Sequence, residues 1–173
     1  SALAAGICAA GGKAVLIGVV PTPAIAYLTR KLGAQAGVVI SASHNPYQDN
    51  GIKFFAGTGY KLPDEVEDKL EKLVLEDLET LNRPTGEKVG VIEYRHELIN
   101  DYVDYAISTV AGDFKGMKIV LDCSHGAAFE ASPKVFKALG AKVVVINDKP
   151  NGLNINHNCG STHLEGLQKA VIA

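Results

Sequence analysis

Apolar residues along this chain fall in short runs broken by glycine, proline and polar clusters, the rhythm of strands alternating with helices. Ser1 to Ala10 reads as a helix, and Val15 to Val20 as a short strand. Pro21-Thr22-Pro23 ends that strand and opens a helix through Leu32, with Thr22 as candidate N-cap, Pro23 at the first helical position and Gly33 as the stop. Val38 to Ile40 forms the next strand. Strand, helix and strand in that order predict a right-handed crossover and a mainly parallel α/β sheet. A second apolar run, Ile52 to Phe55, follows the turn dipeptide Asn50-Gly51.

From Pro63 the period becomes helical, with Val66, Leu70, Leu73 and Val74 on one face. Glu65/Lys69 and Asp68/Lys72 are favourably spaced ion pairs. The acidic excess from Asp64 to Glu79 reads as the solvated side of this helix. Leu81 to Gly90 is a polar connection, Val91 to Tyr94 a short strand, and Glu97 to Val110 a further helix. Gly112 to Gly116 marks a boundary between residues 1–110 and 111–173. Beyond it come a strand at Lys118 to Leu121, a turn at Asp122 to Gly126, a helix to Leu139 and a strand at Lys142 to Ile146. Pro133 either kinks that helix or opens it behind Ser132. Helical spacing returns from Glu165 to Ala173.

Composition narrows the class. Of 173 residues, 47% are apolar and 21% charged, enough to bury a core. A net charge of −2 supplies no broad attraction to nucleic acid or anionic membrane. No apolar stretch has the length of a membrane span, and the opening lacks the basic region of a signal peptide. Cys8, Cys123 and Cys159 are odd in number and lack a C-x-x-C spacing, which suits reduced thiols in the cytoplasm better than a disulfide framework.

The candidate chemistry sits between the second and third strands. Val38, Val39 and Ile40 run into Ser41-Ala42-Ser43-His44-Asn45-Pro46, and Pro46 biases Asn45 toward extended backbone. A serine is thereby held on a tight strand-end loop, beside His44 and ten residues before Lys53. The Ser, Asn, Pro and Gly residues of this stretch, taken singly, are ordinary turn formers. His44 either bonds a ligand or braces the loop, and Lys53 either neutralises a ligand or is a solvated strand charge. Asn45 and Asn50 are expected to fix the loop through side-chain to backbone bonds. A serine hydrolase built on Ser43 and His44 is disfavoured, because adjacent residues of an extended chain point apart and no G-x-S-x-G elbow is present.

The whole string from Gly37 to Lys53 closely resembles the phosphoserine loop of the α-D-phosphohexomutase family, and Tyr47-x-Asp49-Asn50-Gly51-Ile52-Lys53-Phe54-Phe55 is most similar to its branch acting on glucosamine phosphates. The resemblance implies a three-layer α/β/α sandwich with a mixed, mainly parallel sheet, residues 1–110 being a first domain and 111–173 the start of a second. It implies that Ser43 carries the transferred phosphate, with His44 and Lys53 as its helpers. It also implies a hexosamine phosphate substrate, a bisphosphate intermediate and Mg2+ held by the phosphate on Ser43. Ser41 is then a structural neighbour.

Asp122-Cys123-Ser124-His125-Gly126-Ala127-Ala128 resembles the family's second-domain opening, with Ser124 and His125 replacing Ala and Asn, and reads as tight strand-to-helix packing. Asn151 to Asn156 and Cys159-Gly160-Ser161-Thr162-His163 also match, although Leu164 stands where the family has proline. A zinc site from His157, Cys159 and His163 is outweighed by irregular spacing. The family's Gly-Thr-x-Gly-x-Arg, Asp-Gly-Asp-x-Asp-Arg, Glu-x-Ser-Gly-His and phosphate-loop motifs do not occur. The chain is therefore expected to be part of such an enzyme, inactive in isolation, and to self-associate through surfaces that normally meet other segments. Phosphoglucomutases and phosphomannomutases are the neighbouring alternatives.

Overall fold

The computed structural model describes residues 2–76, 81 and 83–173. Ser1, where the first expected helix begins, and the end of the acidic stretch through Glu79 lie outside the described residues. The chain has an α/β fold of six helices and six strands among those residues. It divides into two compact units, one made of Ser1–Gly18 with Lys61–Glu97 and the other of Val19–Tyr60 with Leu98–Ala173.

In the first unit, α1 (Ala2–Ala9) leads to β1 (Ala14–Leu16), and β4 (Ile92–Tyr94) pairs parallel with β1, Ala14 opposite Ile92 and Leu16 opposite Tyr94. Ala4, Cys8 and Ala14 are buried together, with Ile7 and Leu16 packed around them. α3 (Asp64–Leu75) starts behind Pro63, which needs no backbone donor there. Its expected apolar stripe exists, but Val66, Leu70 and Val74 are exposed. Lys61 bridges Asp64 and Glu67 of the helix's first turn, each at 3.0 Å. A lysine just before the helix reaches two acids of the first turn, where negative charge also suits the helix dipole.

The second unit carries the serine loop. α2 (Thr22–Lys31) has Pro21 rather than Thr22 as its N-cap, and Pro23 lies within the first turn. Ala24 and Leu28 of α2 are fully buried, and Thr29 returns its hydroxyl to the Ile25 carbonyl at 2.7 Å. α2 rests very closely on β2 (Ala36–Ser41) at Gly37, where a Cβ would lie 2.0 Å from Thr29 Oγ1. Only glycine permits that approach. α4 (Ile99–Ser108) adds the fully buried Ile99 and stacks Tyr105 on Tyr27 of α2, ring centroids 4.2 Å apart.

Strand partners are where the sequence reading needs correction. β1 pairs with β4, and β2 pairs with β3 (Gly51–Ala56), so the expected crossover strands are not ladder partners. β2 and β3 are antiparallel, with Val39 opposite Lys53 and Ser41 opposite Gly51. β5 (Lys118–Asp122) and β6 (Lys142–Ile146) are parallel, joined through α5 (Ala131–Ala138). Pro133 lies in the first turn of α5 behind Glu130, so it opens the helix and does not kink it. α6 (Glu165–Ile172) ends the chain. Among the described residues two ladders are parallel and one is antiparallel, a mixed arrangement.

Candidate active site

Ser43 sits two residues past the end of β2, exposed, with φ of 57°. A left-handed serine is uncommon, because its Cβ crowds the following carbonyl. Its neighbours hold it there. Asn45 N–H donates to the Ala42 carbonyl at 3.0 Å, closing a turn around Ser43 and His44. Ala42 is buried and anchors the turn, while Ser41 Oγ accepts the Ser43 N–H at 3.0 Å. Ser41 is thus a structural partner, as its place in the string implied.

The rest of the loop runs through a short 3-10 turn at Tyr47–Asp49, and Asn50 Nδ2 donates to the Tyr47 carbonyl at 2.9 Å. Asn50 therefore braces the loop as expected, whereas Asn45 contributes through its main chain. Nor is Asn50-Gly51 the reversal itself. Asn50 has φ of −59° and ψ of 132°, and Gly51 already belongs to β3. Reversal is spread over the residues from Ala42 to Asn50, because the turn at Ser43 and the 3-10 turn each supply part of it.

A second loop system faces this one within the same unit. Ser124 and His125, with φ of 56° and 48°, follow β5 and are both left-handed. The Asp122 carboxylate organises them. One oxygen accepts from Ser124 N–H at 2.8 Å and from Asn147 Nδ2 at 2.9 Å, and the other accepts from Gly160 N–H at 2.9 Å. The Ser124 carbonyl then accepts from Asn156 N–H at 2.9 Å. Asn156 Nδ2 donates to the carbonyls of Ser43, at 3.0 Å, and Asn45, at 2.8 Å. Beyond tight packing, the motif at Asp122 to Gly126 is a hydrogen-bonded hub.

Between the two loops lies a cavity of about 270 Å³, its walls including His44, Tyr47, Gln48, His157, Asn158 and His163. His44 thus faces a ligand-sized space, whereas Ser43 and Lys53 are not among the residues lining it. Lys53 is exposed on β3, opposite Val39 in the register. Sequence reasoning missed Asp122 and Asn156 as organisers. An aspartate ending a strand before small residues was the available signal for the first, but nothing local marked Asn156.

All three cysteines are free and buried. Burial pushes the Cys123 thiol up to about 11, helped by the charges of Asp148 and Asp122, and burial likewise raises Cys159. Among the described residues no group of three or more His, Cys, Asp or Glu is arranged to hold a metal ion. No helix among the described residues is long and apolar enough to cross a membrane.

Comparison with known proteins agrees with this geometry. Residues 1–80 match the phosphoglucomutase/phosphomannomutase α/β/α domain I. A phosphoglucomutase/phosphomannomutase family protein from Burkholderia thailandensis superimposes with a TM-score of 0.73 at 27% identity, over 99% of this chain and 37% of its own. With these likenesses, the chain has an α/β fold similar to that of phosphoglucomutase/phosphomannomutase proteins.

Residues 1–80 thus carry the α/β/α domain I of the phosphoglucomutase/phosphomannomutase family. Its sequence is 56% identical to the phosphoglucosamine mutase of Desulforamulus reducens over 99% of this chain and 39% of that protein. With the phosphoglucosamine mutase of Clostridium tetani it shares 55% over 99% of this chain and 38% of the relative. The chain thus spans less than two-fifths of the length of these curated relatives.

Proposed function

We propose that this chain is part of a phosphoglucosamine mutase, a cytoplasmic enzyme interconverting glucosamine 6-phosphate and glucosamine 1-phosphate for cell-wall amino sugars. The observation that carries the proposal is the left-handed, multiply held Ser43 within a chain that is 55–56% identical to such mutases from end to end. Residues 1–110 are assigned to the first domain and 111–173 to the second.

In this reading Ser43 enters the reaction phosphorylated. A sugar hydroxyl attacks the phosphorus; the Oγ–P bond breaks as the new sugar O–P bond forms, and the hydroxyl proton passes to a base. The sugar is now a bisphosphate. After it turns over, Ser43 Oγ attacks the phosphorus at the opposite end, that sugar O–P bond breaks, and the freed sugar oxygen takes a proton. Such transfers depend on positioning and charge neutralisation more than on covalent chemistry by the protein. Lys53 is assigned to charge neutralisation or proton transfer at the attacking hydroxyl, and His44 to hydrogen bonding of phosphate or sugar.

Mg2+ is assigned to the whole enzyme. Among the described residues no group of three or more His, Cys, Asp or Glu would hold it, and the ligand assigned to it here is an oxygen of a phosphate on Ser43. Hard cations take several oxygen ligands, so the remainder must come from elsewhere.

Ser43→Ala in the longer protein tests the proposal. Interconversion of glucosamine phosphates should fall by roughly a thousandfold or more, and intact mass should lose its phosphate. Undiminished turnover would remove the basis of this reading. Faster turnover of glucose or mannose phosphate by the unaltered protein would move the assignment to a phosphoglucomutase or phosphomannomutase.

A further inference from the structure

We propose that Asn156 is the positioning residue of Ser43, its side-chain amide holding the serine in the left-handed turn that aims Oγ. The inference rests on the mutase reading above and extends it to a residue 113 positions away in sequence.

A non-glycine residue in a sparsely populated backbone region is strained and persists where its surroundings over-determine it. At Ser43 the local chain supplies acceptors for two N–H groups: Ser41 Oγ for Ser43 and the Ala42 carbonyl for Asn45. The carbonyls of the turn are held from outside. Asn156 Nδ2 carries two hydrogens, and its two bonds go to the carbonyls of Ser43 and Asn45, on either side of His44. One amide therefore grips both ends of the segment that presents Oγ.

The grip is itself fixed. Asn156 is left-handed, with φ of 58°, a conformation that asparagine adopts more readily than most residues. Its N–H is bonded to the Ser124 carbonyl, and Ser124 N–H to Asp122. Gly160 lies close by, since a Cβ there would come within 3.2 Å of Asn156 Oδ1. The serine turn is thus tied, bond by bond, to the end of β5. A misplacement of the nucleophile by about 1 Å can cost on the order of a hundredfold in rate, so loss of this amide should act on turnover.

Asn156→Asp and Asn156→Gly in the longer protein test this. Both residues tolerate the left-handed backbone and neither has the amide donor. The expected result is a fall in kcat of roughly 10- to 100-fold with KM changed less than twofold. A normal kcat in a folded variant, or an effect confined to KM, overturns the proposal. If Asn156→Asp does not fold, Asn156→Gly decides. If neither folds, exchange of the Asn156 side-chain amide hydrogens in the unaltered protein decides: slow exchange supports the clamp, and exchange at the unprotected rate refutes it. Ser43→Ala serves as the control. Its full activity would sink the mutase reading, whereas an inactive Ser43→Ala beside normal Asn156 variants would sink only the clamp.

Discussion

Asp122 and Gly160, 38 residues apart, are joined by a 2.9 Å hydrogen bond from the Gly160 amide to the Asp122 carboxylate. The other carboxylate oxygen serves Ser124 and Asn147, so one side chain collects three donors from three segments. Truncation leaves all three without this acceptor. Asp122→Ala should lower stability by about 3 kcal/mol, given the usual worth of bonds to a charged acceptor. Urea denaturation will measure it, and a shift below about 0.5 kcal/mol would show that water replaces the carboxylate at little cost.

Gly160 is also a packing requirement. Its φ is 80°, and an added Cβ would lie 2.4 Å from Ser124 Oγ. Gly160→Ala should cost roughly 1–3 kcal/mol from backbone strain alone and loosen Ser124 as well. Gly166, inside α6 with nothing within 4 Å of an added Cβ, is the control. Gly166→Ala should stabilise by about 0.5–1 kcal/mol. Opposite signs in thermal melts are the expected outcome.

Cys123 gives stability a pH dependence. Burial raises the thiol from 9.0 to about 11, so the folded chain retains a proton that the unfolded chain releases. The contribution is fully present below pH 9 and is lost as pH rises toward 11, by an amount on the order of 2 kcal/mol. Denaturation midpoints of Cys123→Ser and the unaltered chain, compared between pH 8 and 11, should show the smaller decline in the variant. Native Cys123 should likewise react slowly with iodoacetamide at pH 8, followed by mass spectrometry.

Ser41 offers a graded test of the serine turn. Ser41→Thr keeps the hydroxyl that accepts the Ser43 N–H and should leave turnover of the longer protein within a few-fold. Ser41→Ala removes it and should slow turnover by about tenfold. Equal rates in the two variants would mean that the hydroxyl is dispensable.

Residues 1–173 in isolation should show no turnover of glucosamine phosphates with added Mg2+, because among the described residues no cluster of metal ligands accompanies Ser43. They should also self-associate. Leu75 and Tyr94 in one unit and Ile172 in the other are each at least 73% exposed, apolar side chains open to contact with other apolar groups. Light scattering checks the second point, and a monomer at high concentration would refute it.

Much of the secondary structure was legible because its causes are local. Pro21, Pro63 and Pro133 mark helix starts, Gly33 and Gly140 follow helix ends, and the β-branched runs at Val38 to Ile40 and Val143 to Val145 became strands. Ser43 was singled out for the same reason, as a serine confined between a strand end and a proline. Strand partners were not legible, since β1 and β4 are separated by 75 residues between Leu16 and Ile92 and no local pattern encodes that pairing. Nor was the Asn50-Gly51 geometry, where the surrounding hairpin overrode the dipeptide's own preference.

The amino-acid sequence by itself determined where most helices and strands form, which serine is proposed to react and which family the chain resembles, because short-range sterics and a long motif carry that information. Only the tertiary structure decided how the hydroxyl is held. Asp122, Ser124 and Asn156 meet the serine turn through hydrogen bonds between loops distant in sequence, and such bonds exist only once folding has brought their donors and acceptors within 3 Å.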